Sequence, residues 1–137
     1  MPMITVQLAA EPDARLANEV QQTVGRLTAE NLGKDPAVTA IAVEFIPRRF
    51  WFIAGRSVEE RGTSAFFVDV RVSDGTNTKD EKARYVARTF EALSRALGGV
   101  HPESYVHVDD ARADAYGYGG KTQERRSIEG RPAPAVE

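Results

Sequence analysis

The chain matches itself. At a shift of 65 residues Gly33 falls on Gly98, Ile41 on Val106, Val43 on Val108, Trp51 on Tyr116 and Gly55 on Gly120. Inside the helical stretches the shift becomes 66, which sets Val20, Val24 and Leu27 on Val86, Phe90 and Leu93. Helix spacing and end signals match by chance in many pairs of units. The agreement of Trp51-Phe52-Ile53-Ala54-Gly55 with Tyr116-Gly117-Tyr118-Gly119-Gly120 is harder to reach that way.

Each half reads β-α-β. Residues 3–8 alternate, with Ile4, Val6 and Leu8 on one face and Met3, Thr5 and Gln7 on the other, as in a half-buried strand. Pro12 suits the first turn of a helix, where its missing N–H costs nothing. Leu16, Val20, Val24 and Leu27 then recur at helical spacing up to Gly33, a C-terminal stop. Residues 38–46 form a second strand, with Ile41, Val43 and Phe45 on one face. In the second half, residues 66–72 are a strand and Thr78 with Glu81 forms a capping box. Val86, Phe90, Leu93 and Leu97 make the apolar stripe, Gly98-Gly99 ends the helix, and residues 105–108 are the last strand.

The fold class is therefore α+β. Two β-α-β units, about 2–55 and 66–120, give a four-stranded sheet with both helices on one face. Phe66, Phe67, Val68, Val70 and Val72 read as apolar groups offered to both sides, so the open face calls for self-association. Residues 121–137 form a charged tail with Pro and Ala and no periodicity, expected to be disordered or ordered only against a neighbouring subunit. A duplicated α+β unit also occurs in ferredoxin-like dimeric barrels, which stay open as an alternative.

Composition narrows the function classes. With Lys+Arg 18 against Asp+Glu 20 there is no basic field for a phosphate backbone, so no nucleic-acid partner is expected. The absence of cysteine excludes disulfides, thiolate zinc sites and cysteine nucleophiles. No apolar run is long enough to span a bilayer and no signal-peptide pattern opens the chain, so a cytoplasmic protein with no membrane partner is expected. No acidic pair completes a metal site around His101 and His107, Asp109-Asp110 reads as a polar strand end, and no metal is expected.

Pro2 carries the most chemistry. With Met1 removed, its nitrogen is a secondary amine that can act as a base. A free α-amino group titrates at about 7.7–8.0, and burial or nearby positive charge lowers an amine further. Arg48 and Arg49 beside Phe50-Trp51-Phe52 are candidates to clamp a carboxylate. Arg49 is preferred, since it shares side-chain parity with Trp51 if that segment is extended.

A proline after the initiator followed by two β-α-β units resembles the tautomerase superfamily over roughly residues 2–120. The stretches that carry the resemblance are Pro2-Met3-Ile4-Thr5-Val6, Gly33-Lys34, and Tyr116-Gly117-Tyr118-Gly119-Gly120. Its single-unit members include 4-oxalocrotonate tautomerase. Its two-unit members, such as 5-carboxymethyl-2-hydroxymuconate isomerase and macrophage migration inhibitory factor, form trimers. The resemblance implies a homotrimeric isomerase that needs no cofactor and uses Pro2 as general base on small enolisable keto acids. It implies that Lys34 faces the substrate oxygen, where charge builds as the proton leaves. It sets Trp51 as an apolar wall beside the proline, and Tyr105 and His107 as residues that close the pocket. A helix-terminal lysine, a packed tryptophan and a packed strand histidine are the plain alternatives.

The departures matter too. The dehalogenases of this superfamily carry paired arginines where this chain reads Ser73-Asp74-Gly75-Thr76. The arginines of the single-unit enzymes are replaced near Pro12-Asp13 and at Thr39 or Ala40. A non-catalytic binding protein on the same scaffold is therefore a further alternative.

Overall fold

A computed structural model describes residues 2–130. The strand β1 (Met3–Ala9) leads into the helix α1 (Ala14–Leu32) and then β2 (Ala40–Ile46). The second unit runs through β5 (Phe66–Ser73), α2 (Lys79–Ala96) and β6 (Tyr105–Ala111). Between the units lies a small hairpin, β3 (Phe52–Ile53) with β4 (Arg56–Ser57). A matching hairpin, β7 (Gly117–Tyr118) with β8 (Lys121–Thr122), follows β6 and leads into α3 (Gln123–Glu129).

The four long strands form one sheet in the order β2-β1-β5-β6. β1 and β2 are parallel, as are β5 and β6, and the units meet where β1 pairs antiparallel with β5. Each crossover thus joins adjacent strands. A ferredoxin-like sheet instead splits its β-α-β units with an inserted strand, so the strand order removes that alternative.

Helix ends follow the sequence closely. Asp13 caps α1 by accepting from the Arg15 and Leu16 amides, and Gly33 ends it in the left-handed region at φ 66. Pro12 therefore stands just outside the helix instead of in its first turn. Thr78 and Glu81 form the expected reciprocal box at the start of α2. The second strand begins two residues late, because Pro36–Val38 forms a short 3₁₀ turn capped by Asp35.

The core lies between the sheet and the two helices. Ile4, Val6 and Leu8 meet Val20, Val24 and Leu27 from α1, and Phe66, Val68, Val70 and Val72 meet Leu93 from α2. Each such side chain contributes roughly 1.5–3 kcal/mol on burial. The buried stripe of α2 is Tyr85, Thr89 and Leu93, while Val86 is left exposed at its flank. Tyr85 wins the inward position because its ring fills more volume and its hydroxyl meets Thr28 Oγ1 of α1 at 2.9 Å.

Of the apolar residues of β5, Phe66, Val68, Val70 and Val72 face the helices, while Phe67 faces the open side with Asp69 and Arg71, so apolar groups do reach both sides, unequally. The open side of the sheet is largely polar, with His107 Nδ1 lying 3.6 Å from Asp69 Oδ1. The presumed tail is ordered through residue 130: Thr122 caps α3, and Glu129 pairs with Lys121 and Arg125, each at 3.0 Å. Residues 131–137, the end of that segment, lie outside the described residues.

The ordered end also extends the duplication. The Val58 amide donates to Trp51 O at 2.9 Å, as Gln123 does to Tyr116 O at 2.8 Å. Ser57 Oγ accepts from the Glu60 amide, as Thr122 Oγ1 does from Arg125, both at 3.1 Å. Arg61 holds Ile53 O, and Arg126 holds Tyr118 O. These pairs all keep the 65-residue shift, so the second unit runs beyond Gly120 into α3. Among the described residues no helix is long and apolar enough to cross a membrane.

Candidate functional site

Pro2 sits just ahead of β1 with the inward parity of Ile4, and it is buried. Its carbonyl accepts from the Ala40 amide at 3.2 Å, which ties it to the start of β2. It opens onto a cleft of about 690 Å³, lined further by Thr39, Arg71, Tyr116 and Tyr118 among others. That volume falls in the range of small-molecule sites.

Each wall has a local cause. Arg71 is opposite Met3 in the β1–β5 register, so the antiparallel seam brings its guanidinium to this end of the sheet. The group pairs loosely with Asp109 Oδ2 at 3.9 Å, and both side chains remain partly exposed. Tyr116 stands at the entrance to the second hairpin. Its hydroxyl accepts from the Met3 amide at 2.8 Å and donates to Arg71 O at 3.4 Å. Burial pushes the Tyr116 phenol above its usual range, against the Met3 hydrogen bond and the Arg71 charge. The Arg126 guanidinium lies 3.8 Å over the Tyr118 ring and donates to Tyr118 O at 2.8 Å, pinning the hairpin. The hairpin itself requires Gly117, where a Cβ would stand 2.0 Å from Lys121 O.

A cleft with a proline at the head of a strand, aromatic walls and one guanidinium at its mouth suits a small anion. The guanidinium can hold a carboxylate or a developing enolate oxygen.

The other residues singled out by sequence lie elsewhere in the single chain. Lys34 follows the α1 cap and donates to Thr76 Oγ1 at 2.8 Å. Burial lowers its pKa from the ordinary lysine value, and the Glu81 and Asp110 carboxylates oppose that shift. Arg49 is exposed, ion-paired with Glu11 at 3.2 Å, and stacked on the Phe50 ring. Trp51 packs on Ala9, Val58 and Ala65 at the opposite end of the sheet from Pro2. Tyr105 is exposed and hydrogen-bonded to Glu103, which raises its pKa. His107 stands on the open face beside Asp69. None of these five lines the Pro2 cleft within one chain.

Arg71 and Tyr116 are functional candidates that emerge from the structure. A signal for Tyr116 existed, since the internal match pairs it with Trp51. Arg71 had none without the strand register.

No family model and no characterised protein sequence matches the chain. Its structure does have close likenesses. A fused 4-OT symmetric trimer superimposes with a TM-score of 0.78 at 17% identity, over 94% of this chain and 99% of that one. Pt0534 inactivated by 2-oxo-3-pentynoate gives 0.77 at 15%, over 90% and 98%. The macrophage migration inhibitory factor-like protein of Entamoeba histolytica gives 0.72 at 17%, over 88% and 97%. The chain has the tautomerase fold, in the two-unit form the internal duplication anticipates.

Proposed function

We propose that the protein is a cofactor-independent tautomerase in which Pro2, freed by removal of Met1, moves a proton between carbon and oxygen of a small keto or enol acid. The observation that carries this reading is the buried Pro2 at the head of β1, facing a cleft that holds Arg71 and two tyrosines. The neutral amine takes the proton, Arg71 neutralises the substrate carboxylate or the enolate oxygen, and the amine returns the proton at the far end of the conjugated system. The aromatic walls keep water away and favour the uncharged amine.

Assembly as a homotrimer belongs to the same proposal. It is supported by the fused 4-OT likeness, whose molecules are trimers. Tyr105 and His107, which lie on the open face, would need a neighbouring copy to come near a proline. Native mass spectrometry reads this directly as a species three times the chain mass.

Replacing Pro2 with alanine should lower ketonisation of phenylenolpyruvate or 2-hydroxymuconate by about 10²–10⁴-fold. Unchanged turnover would refute the assignment. Incubation with 2-oxo-3-pentynoate, which inactivates Pt0534, should modify Pro2 by addition of the amine to the alkyne, visible by peptide mass.

A further inference from the structure

The seam between the two units ends differently at its two extremities. In an antiparallel pair, directly opposed residues alternate between those that exchange N–H···O bonds and those that do not. Ala9 donates to Ala65 O at 2.9 Å, so that opposed pair is of the bonded kind. Counting inward along the register, Gln7 with Phe67, Thr5 with Asp69 and Met3 with Arg71 are bonded positions as well. At the last of these, a side chain joins the rung. The Met3 amide donates to the Tyr116 hydroxyl at 2.8 Å, and that hydroxyl reaches Arg71 O at 3.4 Å.

We infer that the Tyr116 hydroxyl is a positioning residue for the Pro2 base. This rests on the reading of Pro2 given above. The amide that Tyr116 holds belongs to the peptide bond joining Pro2 to Met3, which is planar. Holding that plane leaves the Pro2 ring only the rotation about its own Cα–C bond, and the Pro2 carbonyl is held in turn by Ala40. The same phenol reaches the backbone carbonyl of Arg71, so one hydroxyl bridges the strand that carries the base and the strand that carries the cation. Its raised pKa keeps it protonated through the neutral range. The ring supplies the wall and the oxygen supplies the alignment. Those two duties can be separated by removing the oxygen alone.

The test uses the full chain, with loss of Met1 checked by intact mass, and compares wild type with Tyr116→Phe and Pro2→Ala. With ¹⁵N-labelled proline, NMR titration of the Pro2 amine reads its pKa without any substrate. In Tyr116→Phe the amine should titrate higher, by about half a unit or more, as the cleft loosens and water enters. With phenylenolpyruvate, kcat should fall about 10- to 100-fold while KM moves little, as expected for misplacement of a catalytic group. An amine pKa and kcat equal to wild type, or a loss confined to thermal stability, would overturn the positioning role. A retained Met1, or full activity in Pro2→Ala, would instead overturn the base itself and this role with it.

Discussion

The protein contains two clefts built from the same parts, and only one can do the proposed chemistry. The hairpin after β6 frames the Pro2 cleft, and the hairpin after β2 frames a smaller one of about 410 Å³ lined by Trp51, Phe52, Ile53, Ala54, Glu103 and Tyr105. Register relates them residue by residue. Met3 opposite Arg71 corresponds to Phe67 opposite Gln7, so the counterpart of Pro2 is Phe66 and the counterpart of Arg71 is a neutral amide. Phe66 is buried in mid-chain, where its nitrogen is an amide and no base. Tyr116 has Trp51 as its twin, which lacks a hydroxyl. Duplication copied the walls, while the amine can arise only at a chain terminus.

The comparison can be broken or sharpened by substitution. The largest effect outside Pro2 and Tyr116 is expected at Trp51. Trp51→Ala should cost about 3 kcal/mol of stability through lost packing on Ala9, Val58 and Ala65. Turnover per folded molecule should hold. A collapse of kcat/KM with unchanged denaturant midpoint would return Trp51 to the catalytic wall and dissolve the contrast between the clefts.

A smaller effect should follow from Gly119→Ala. Gly119 has φ 61, and a Cβ there would stand 2.6 Å from Arg126 Nη2. Left-handed strain of about 1–2 kcal/mol is expected, along with displacement of the guanidinium from the Tyr118 ring. Activity should drop with stability, because this hairpin borders the Pro2 cleft.

The smallest effect, with opposite sign, belongs to the twin position. Ala54 already occupies the left-handed region at φ 51, the only non-glycine among the described residues to do so. Ala54→Gly should stabilise the chain by up to about 1 kcal/mol, read as a raised thermal midpoint, and leave kcat untouched. A loss of stability would mean that the two turns are not equivalent.

Much of this was legible in the sequence because it depends on neighbours along the chain. The Thr78–Glu81 box, the stop at Gly33 and the alternation of β1 are short-range patterns, and the structure has them where the residues indicate. Helical spacing admits two adjacent stripes, one through Val86 and one through Tyr85, and packing against Thr28 chooses the one with Tyr85. The high charge of residues 121–130 has the look of disorder in the sequence. There the charges close a short helix on itself, and Arg126 anchors the hairpin.

The sequence by itself determined that the chain is a doubled β-α-β unit and set Pro2 directly ahead of β1. It could not say which cation or aromatic would meet that proline. That choice lay with the antiparallel register of β1 on β5, a long-range pairing in which a slip of one residue would turn Arg71 to the other face. Only the packed sheet brought Arg71 and Tyr116 to Pro2 and kept Trp51 at the opposite end.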